Sequence, residues 1–143
     1  HIAEKLRRNR IHAESMHGKL SQGARTERLD DFKAGKLRIL VATDLLARGV
    51  DINALPCVIN YELPRSPKDY IHRIGRTGRA GASGMSISFA CEDDAFLLPE
   101  LENAIGMKLE CEYPPADLLA EKETAAPVKA PGHDTTQNAE KKD

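Results

Sequence analysis

The sequence contains no tryptophan, and aromatic residues make up only 4% of its 143 positions. A core formed by such a chain depends on aliphatic side chains, so we expect Ile, Leu, Val and Ala to fill the buried positions. No apolar run approaches the roughly 20 residues that a membrane-spanning helix requires, and no segment reads as a signal peptide. These absences argue against a membrane protein and indicate one globular domain.

The cysteines are few and widely separated. Cys57, Cys91 and Cys111 are odd in number and form no Cys-x-x-Cys pair, which argues against both a zinc site and a disulfide framework. Cys57 and Cys91 lie in apolar runs, where a buried, unreactive thiol is the expected state. This pattern predicts no metal site and a reducing, cytoplasmic setting.

The sequence also lacks the Gly-x4-Gly-Lys-Ser/Thr loop that cradles nucleotide phosphates, and no acidic pair is placed to hold Mg²⁺. Residues 72–81, HRIGRTGRAG, nevertheless contain three arginines and three glycines, each set spaced at intervals of three. Arginine donates bidentately to phosphate and keeps its charge, and glycine lets the backbone approach a ligand closely. Arg76 and Arg79 therefore suit a phosphate group. The alternative is an arginine-rich helix end that caps carbonyls or pairs with Asp44 and Asp69.

Charge is unevenly distributed along the chain, although the formal net charge is only −1. Residues 1–84 carry 16 Lys and Arg against 9 Asp and Glu, whereas residues 85–113 carry 1 against 7. The basic excess lies in the same part of the chain as the arginine-glycine segment. This distribution favours a polyanionic partner there, although solvated charged surfaces give the same pattern.

Apolar, β-branched runs alternate with amphipathic stretches along most of the chain. Three such runs predict strands, at residues 37–43, 57–63 and 84–91. The first two are expected to be buried on both faces, whereas the third alternates, with apolar residues at Met85, Ile87 and Phe89. Ser21 and Gly35 frame one predicted helix, and Ser66 followed by Pro67 begins another. The alternation predicts an α/β fold in which helices flank a mostly parallel sheet.

The alternating pattern ends near Pro114, after which Pro, Ala, Lys, Glu and Thr dominate. Such a composition buries too little apolar surface to order the chain, so residues 114–143 are predicted to be a disordered tail. Residues 1–113 form the predicted folded domain. Its last helical segment contains Pro99, which predicts a break or two short helices, and ends at Gly106.

Ligands of open parallel sheets bind at the carboxyl ends of the strands, and the segment ATDLLARGVDI directly follows a predicted strand. Thr43 offers a hydroxyl suited to a backbone phosphate, Gly49 permits close approach, and Asp51 suits sugar hydroxyls. Gln22 and Arg25 lie on the first turn of a predicted helix, where they form an anion site. The alternative for Asp51 is a turn or cap role, and for Gln22 and Arg25 it is solvated surface.

Three segments, HGKLSQGAR, VATDLLARGVDI and YIHRIGRTGRAG, follow one another in the chain. Together they resemble the Gln-x-x-Arg segment, motif V and motif VI of the C-terminal RecA-like domain of DEAD-box ATP-dependent RNA helicases. The resemblance covers about residues 12–84. The acidic segment after GASG resembles the bacterial branch of the family, including degradosome-associated helicases. A RecA-like, three-layer fold is therefore implied for the folded domain.

The resemblance implies a role for each matched residue on the nucleotide side. Arg76 and Arg79 would be arginine fingers that reach the γ-phosphate of an ATP held mainly by a preceding domain. Asp51, with Gly49 nearby, would contact the ribose. Mg²⁺ would also be held mainly by the preceding domain.

On the RNA side, four residues would hold phosphates: Gly18, Gln22, Arg25 and Thr43. His72 and Arg73 would join the two domains when ATP and RNA are bound. Where the family often has Asp after His-Gly, this chain has Lys19, so the contact at His17 and Gly18 lacks its usual neighbour. Contacts to phosphate and sugar do not read bases, so the grip on RNA would be largely independent of sequence.

The resulting hypothesis is that the chain is one of two motor domains of an enzyme. It would be the second motor domain of an RNA-dependent ATPase that separates short duplexes. The chain opens on His1 in a segment that reads as helix, which predicts an N-terminally truncated domain. Because the P-loop domain is missing, the chain alone is predicted to hydrolyse no ATP. Its partners would be RNA, the N-terminal RecA-like domain of the same protein, and proteins of RNA degradation or ribosome assembly. The alternative is a non-catalytic module that binds RNA or a protein.

Overall fold

Helices and strands alternate along the computed structural model, which describes residues 1–78, 81 and 83–120. The strands of this part of the chain are β1 (Ala13–Met16), β2 (Ile39–Ala42), β3 (Cys57–Asn60) and β4 (Met85–Ser88). Its α-helices are α1 (Ile2–Arg8), α2 (Gln22–Lys33), α3 (Asp44–Arg48), α4 (Pro67–Ile74), α5 (Leu98–Ile105) and α6 (Ala116–Leu119). The predicted α/β alternation is confirmed.

The strands pair in parallel. β1 pairs with β2 in a register that sets Ala13 beside Ile39, and β3 pairs with β4 in a register that sets Cys57 beside Met85. Within the described residues these pairs are two separate two-stranded sheets. Parallel neighbours need a crossover, and α2 and α4 lie in the connections that join the paired strands. The predicted parallel pairing is confirmed, although β2, β3 and β4 are each shorter than the apolar run that indicated them.

Helix α2 begins and ends where its flanking residues predicted. The Ser21 hydroxyl accepts a hydrogen bond from the Ala24 backbone N–H at 3.2 Å, which satisfies a donor of the first turn. Beyond the helix, Gly35 adopts a φ of +75°, a left-handed conformation that glycine accepts without strain. Helix α4 likewise begins at Pro67, whose fixed φ suits the first helical turn.

The acidic segment divides into two short helices, as Pro99 predicted. A 3₁₀ turn at Glu92–Asp94 comes first, and Pro99 lies in the first turn of α5, where its missing N–H leaves no bond unmade. The backbone N–H and the thiol of Cys91 both donate to the Asp94 carboxylate, at 3.0 and 3.2 Å. These bonds hold the pKa of Asp94 below its ordinary value.

A buried cluster ties α4 to α5. Leu63, Tyr70, Leu97 and Leu101 are each at most 9% exposed and pack together. The cluster is aliphatic except for Tyr70, in agreement with the shortage of aromatic residues. Because Tyr70 anchors one side of α4 in this cluster, the helix can present His72 and Arg73 elsewhere.

One face of the β3–β4 sheet is exposed among the described residues. Its alternating residues include Ile59 and Phe89, which are 56% and 54% exposed. The expectation that residues 57–63 form a strand buried on both faces is therefore wrong, because the described part of the chain covers only the face that carries Asn60. The predicted burial of Cys57 and Cys91 is wrong as well, since both are exposed. Cys57 lies on the uncovered face, and Cys91 lies beyond the end of β4.

Among the described residues, those from Glu110 to Ala120 belong to a unit separate from residues 1–109. In its described part, residues 116–119 form α6, a helix within the stretch predicted to be disordered. Residues 121–143 lie outside the described residues, so the disordered tail and the predicted boundary after residue 113 stay predictions. None of the helices that the structure describes has the length and apolar character needed to cross a bilayer.

Candidate functional site

Helices α3 and α4 are linked by two reciprocal ion pairs. On α4, Arg73 donates from Nε and Nη2 to the two carboxylate oxygens of Asp44 on α3, each at 2.7 Å. In the opposite direction, Arg48 of α3 donates to the carboxylate of Asp69 on α4. Each helix thus carries Asp-x3-Arg, and each arginine pairs with the aspartate of the other helix. The bidentate Asp44–Arg73 pair has the stronger geometry of the two.

Arg73 also joins these helices to the β3–β4 sheet. Its Nη1 donates to the backbone carbonyl of Glu62 at 2.7 Å and approaches Oδ1 of Asn60 at 3.4 Å. Asn60 is only 2% exposed, and its amide donates to the Ser88 hydroxyl at 2.9 Å. The guanidinium of Arg73 is therefore held by partners from three places in the fold.

The same contacts set the charge of Asp44. Hydrogen bonds from Arg73 are the largest cause that lowers the pKa of this carboxyl below its ordinary value, and the charges of Arg73 and Arg48 act in the same direction. Partial burial opposes them without reversing the result. The pair is therefore fully charged at neutral pH.

Arg76 holds the segment that follows α3. Its guanidinium donates to the backbone carbonyls of Ala47, Val50 and Ile52, at 3.2, 3.0 and 3.3 Å. Capping of helix-end carbonyls was one of the two interpretations left open for this arginine, and these contacts match it. Arg79, its predicted companion, lies outside the described residues.

The backbone at and after Arg76 is hydrogen-bonded to Leu55, three residues beyond the segment that Arg76 holds. The carbonyl of Arg76 accepts from the Leu55 N–H at 2.9 Å, and the Thr77 hydroxyl donates to the Leu55 carbonyl. Gly84 passes directly beneath this loop, because a Cβ built on it would lie 2.9 Å from the Cα of Gly78. Residues 76–78, which we call the arginine loop, thus lie between residue 55 on one side and residue 84 on the other.

Asp51 lies in the segment that Arg76 holds. Its side chain is exposed and accepts a hydrogen bond from the Asn53 amide at 2.8 Å, which leaves other carboxylate lone pairs open to solvent. Gly49 ends α3 with a φ of −85°, and a Cβ there would meet only Leu46 O at 3.9 Å. Neither its φ angle nor a neighbouring atom therefore requires glycine at this position.

The residues predicted to hold RNA phosphates divide into two neighbouring places. Met16 and Ala42 are paired at the ends of the parallel strands β1 and β2. Gly18 lies two residues beyond Met16, and Thr43 lies one residue beyond Ala42. Both residues therefore lie at the same edge of the sheet. The Thr43 side chain makes no capping hydrogen bond to α3, and the residue is exposed.

Arg25 connects this edge to the start of α2. Its Nη2 donates to the Gly18 carbonyl at 2.9 Å, so the structure brings these two predicted residues together. Its Nε is buried and has no hydrogen-bond partner among the described residues, which is costly for a charged donor. Gln22 is exposed on the first turn of the same helix, where backbone N–H groups are unpaired. This arrangement suits an anion that would approach from solvent.

His72 is exposed and lines a small cleft between α3 and α4, beside Arg48 and Asp69. It and Arg73 were both predicted to join two domains, and only His72 is open to such a contact in this arrangement. Among the residues that the structure describes, no three His, Cys, Asp or Glu side chains gather into a metal site.

The reciprocal ion pairs are the feature that sequence reasoning missed. Asp44 and Asp69 were predicted as possible partners of the arginine-rich helix end, which holds for Asp44 with Arg73, but the reciprocal pair of Asp69 with Arg48 was not predicted. The signal was present, since both helices carry aspartate and arginine four residues apart. That spacing normally indicates a pair within one helix, and only the packing of α3 against α4 exchanges the partners.

Comparisons with known proteins assign this chain to a family. Residues 1–81 match the family described as "Helicase conserved C-terminal domain". The chain is 55% identical over 118 residues to the ATP-dependent RNA helicase RhlB of Pseudomonas aeruginosa, which covers 82% of this chain and 30% of that protein. The chain thus spans about a third of the length of the curated relatives it matches.

Solved structures similar to this chain also belong to DEAD-box proteins. A DEAD-box protein from the hyperthermophile Methanococcus jannaschii superimposes with a TM-score of 0.68 at 47% identity, covering 75% of this chain and 30% of that one. The Escherichia coli DEAD-box protein SrmB, solved bound to regulator of ribonuclease activity A, gives a TM-score of 0.73 at 37% identity, covering 90% and 74%. The predicted RecA-like fold is confirmed, and the chain belongs to the helicase C-terminal domains of the DEAD-box family, of the bacterial RhlB type.

Proposed function

We propose that this chain is the second motor domain of an ATP-dependent RNA helicase and that Arg76 is an arginine finger. The observation that carries the proposal is the set of three hydrogen bonds from Arg76 to the carbonyls of residues 47–52. These bonds place the arginine beside the segment that carries Asp51. One nucleotide held against this surface would meet an arginine for its phosphates and a carboxylate for its ribose.

The chemistry suits a domain that assists hydrolysis without binding the nucleotide alone. Phosphoryl transfer is catalysed chiefly by positioning and by neutralising charge on the transferring group, and an arginine supplied from a second domain does both. ATP and Mg²⁺ would be held mainly by the N-terminal RecA-like domain of the same protein. Arg76 and Arg79 would supply positive charge, while Asp51, approached across Gly49, would accept hydrogen bonds from the ribose.

RNA would bind at the edge where β1 and β2 end. Gly18 and Thr43 leave this edge together, and Gln22 and Arg25 add the start of α2 and an unpaired buried donor. All four suit phosphate rather than bases, so the grip would not depend on sequence. His72 would face the N-terminal domain, whereas Arg73 would support that contact indirectly through its bonds to α3.

The intact protein would couple ATP hydrolysis to the separation of short RNA duplexes in the cytoplasm. Proteins of RNA degradation or ribosome assembly would be its further partners. A non-catalytic binding module is the second candidate function, and one observation favours it. Arg76 already has three carbonyl partners, so a purely structural role accounts for its position without any nucleotide.

The deciding experiment compares RNA-stimulated ATPase activity of the intact protein with that of Arg76→Lys. Lysine keeps the charge but loses the fork, and arginine fingers contribute about 10³–10⁵ in rate, so we expect turnover to fall at least about 100-fold. The matched control is Arg65→Lys at an exposed position, which should stay within twofold, a change of about 0.4 kcal/mol. The 143-residue chain alone serves as a blank, without turnover.

Unchanged turnover in Arg76→Lys would refute the arginine-finger role and leave the binding module. Turnover by the chain alone that survives Arg76→Ala would refute the division of labour between two domains. RNA binding in the absence of nucleotide should persist in Arg76→Lys, because Arg76 is not among the residues proposed to contact RNA.

A further inference from the structure

We propose that Asn53 is a positioning residue that sets the carboxylate of Asp51 for the ribose of the nucleotide. This inference rests on the proposed function and deepens it, because Asn53 acts on the proposed ribose contact. The observation that carries it is the 2.8 Å hydrogen bond from the Asn53 side-chain amide to Oδ1 of Asp51. This bond holds one carboxylate oxygen toward Asn53 and leaves the other, Oδ2, to accept from a ribose hydroxyl.

Asp51 lies at the apex of a tight turn. The Ile52 N–H donates to the Val50 carbonyl at 3.0 Å, which closes a three-residue turn with Asp51 at its centre. The Asp51 side chain is exposed there and, without a partner, would exchange among its staggered rotamers. A side chain that a ligand must immobilise loses conformational entropy on binding. The bond from Asn53 restricts the carboxylate beforehand and so lowers that cost.

The backbone holds Asn53 in the position that this bond requires. The next residue, Ala54, has a φ of +57°, a left-handed conformation that persists in alanine only where neighbouring contacts enforce it. One such contact follows directly, because the Leu55 N–H donates to the Arg76 carbonyl at 2.9 Å. None of these bonds uses the Arg76 guanidinium. Asn53 therefore keeps its hold on Asp51 whichever acceptor that guanidinium has.

The test uses the intact protein with saturating single-stranded RNA. It measures the ratio of kcat/KM for ATP to kcat/KM for 2′,3′-dideoxyATP, which lacks both ribose hydroxyls. Asp51→Ala should lower this ratio, because the ribose loses its acceptor. In Asn53→Ala the acceptor remains but its position is no longer set, and we expect the ratio to fall about fivefold, the equivalent of about 1 kcal/mol. The value for dideoxyATP itself should change by less than about twofold.

The matched control is Asn9→Ala. It removes another exposed amide, which donates to the Lys5 carbonyl at the end of α1 at 2.9 Å, and it should leave the ratio unchanged. This control separates the loss of an exposed hydrogen bond in general from the loss of the one that holds Asp51.

Asn53→Asp provides a second, independent measurement, which also decides the matter if Asn53→Ala does not fold. Aspartate keeps the shape of the side chain, removes the donor and places a second negative charge beside Asp51. The ratio should therefore fall at least as far as in Asn53→Ala. The double variant of Asp51→Ala with Asn53→Ala should have the ratio of Asp51→Ala alone, because Asn53 acts through Asp51.

The outcomes separate this inference from the function on which it rests. If the native ratio is close to one, or if Asp51→Ala leaves it unchanged, the proposed ribose contact fails and this inference fails with it. If Asp51→Ala lowers the ratio while both Asn53 variants keep it, the ribose contact stands and the positioning role of Asn53 is overturned. An equal loss of kcat/KM with ATP and dideoxyATP also overturns that role, because it indicates that Asn53 only stabilises the turn.

Discussion

Replacing Gly84 by alanine tests whether the arginine loop must lie where the structure places it. Gly84 precedes β4 and lies beneath Thr77 and Gly78. An alanine Cβ would lie 2.9 Å from the Cα of Gly78 and nearer still to the Gly78 nitrogen and the Thr77 hydroxyl. Non-bonded carbons prefer separations of about 3.5–4.0 Å, so the contact with the Gly78 Cα alone would require a movement of roughly 0.6–1.1 Å, and the nearer backbone nitrogen makes about 1 Å the minimum.

A movement of this size is large for catalysis and small for folding. A misplacement of about 1 Å can lower a rate by about 10²-fold, because reacting groups tolerate little error in position. We therefore expect Gly84→Ala to reduce RNA-stimulated ATPase turnover of the intact protein by about ten- to a hundredfold. The cost in stability should stay near 1–3 kcal/mol, the range typical of overpacking.

The assay compares steady-state turnover and the thermal unfolding midpoint of Gly84→Ala with those of Gly23→Ala. A Cβ at Gly23 meets nothing within 4 Å, and Gly23 lies within α2, where alanine favours the helix. This control should unfold no earlier than the native protein. Native-like turnover in Gly84→Ala, with an unchanged midpoint, would refute the reasoning, since the loop would then tolerate displacement or play no part in hydrolysis.

Two further predictions concern stability. Leu101 is 1% exposed within the cluster that ties α4 to α5, so Leu101→Ala should lower the free energy of unfolding by about 2–5 kcal/mol in urea titrations, and a loss below 1 kcal/mol would contradict that packing. The depressed pKa of Asp44 should make the stability difference between the native chain and Asp44→Asn depend on pH. That difference should be full above the ordinary value of 3.8 and should shrink as pH falls through the lower folded-state pKa; a difference independent of pH across acid titration would contradict the ion pair.

The sequence was most informative where structure depends on neighbouring residues. Ser21 and Gly35 set the ends of α2 through a side-chain cap and a left-handed φ, both of which are local properties. Pro99 divided the acidic segment for an equally local reason. Parallel pairing followed from the alternation of strands and helices. In each case a few adjacent residues were enough to determine the outcome.

The sequence was less informative where the outcome depends on which elements pack together. An apolar run such as residues 57–63 indicates a strand but does not say how many faces are covered, and Ile59 proved to be exposed. Asp44 and Arg48 have the spacing of a pair within one helix, yet each bonds to α4 instead. The carbonyl partners of Arg76 are backbone atoms 24–29 residues away, which leave no signature in side-chain identity.

The contacts of Arg76 are compatible with an arginine finger for an energetic reason. In the structure its fork is shared among three neutral carbonyls, at distances of 3.0–3.3 Å. A bond between arginine and a phosphate is charge-assisted and roughly twice as strong as one to a neutral acceptor. A γ-phosphate brought near this loop would therefore compete well for the guanidinium. In that exchange, the carbonyls of residues 47, 50 and 52 would lose their donor. Nucleotide binding would thereby free the segment that carries Asp51 from its bonds to Arg76, and this segment could then close on the ribose.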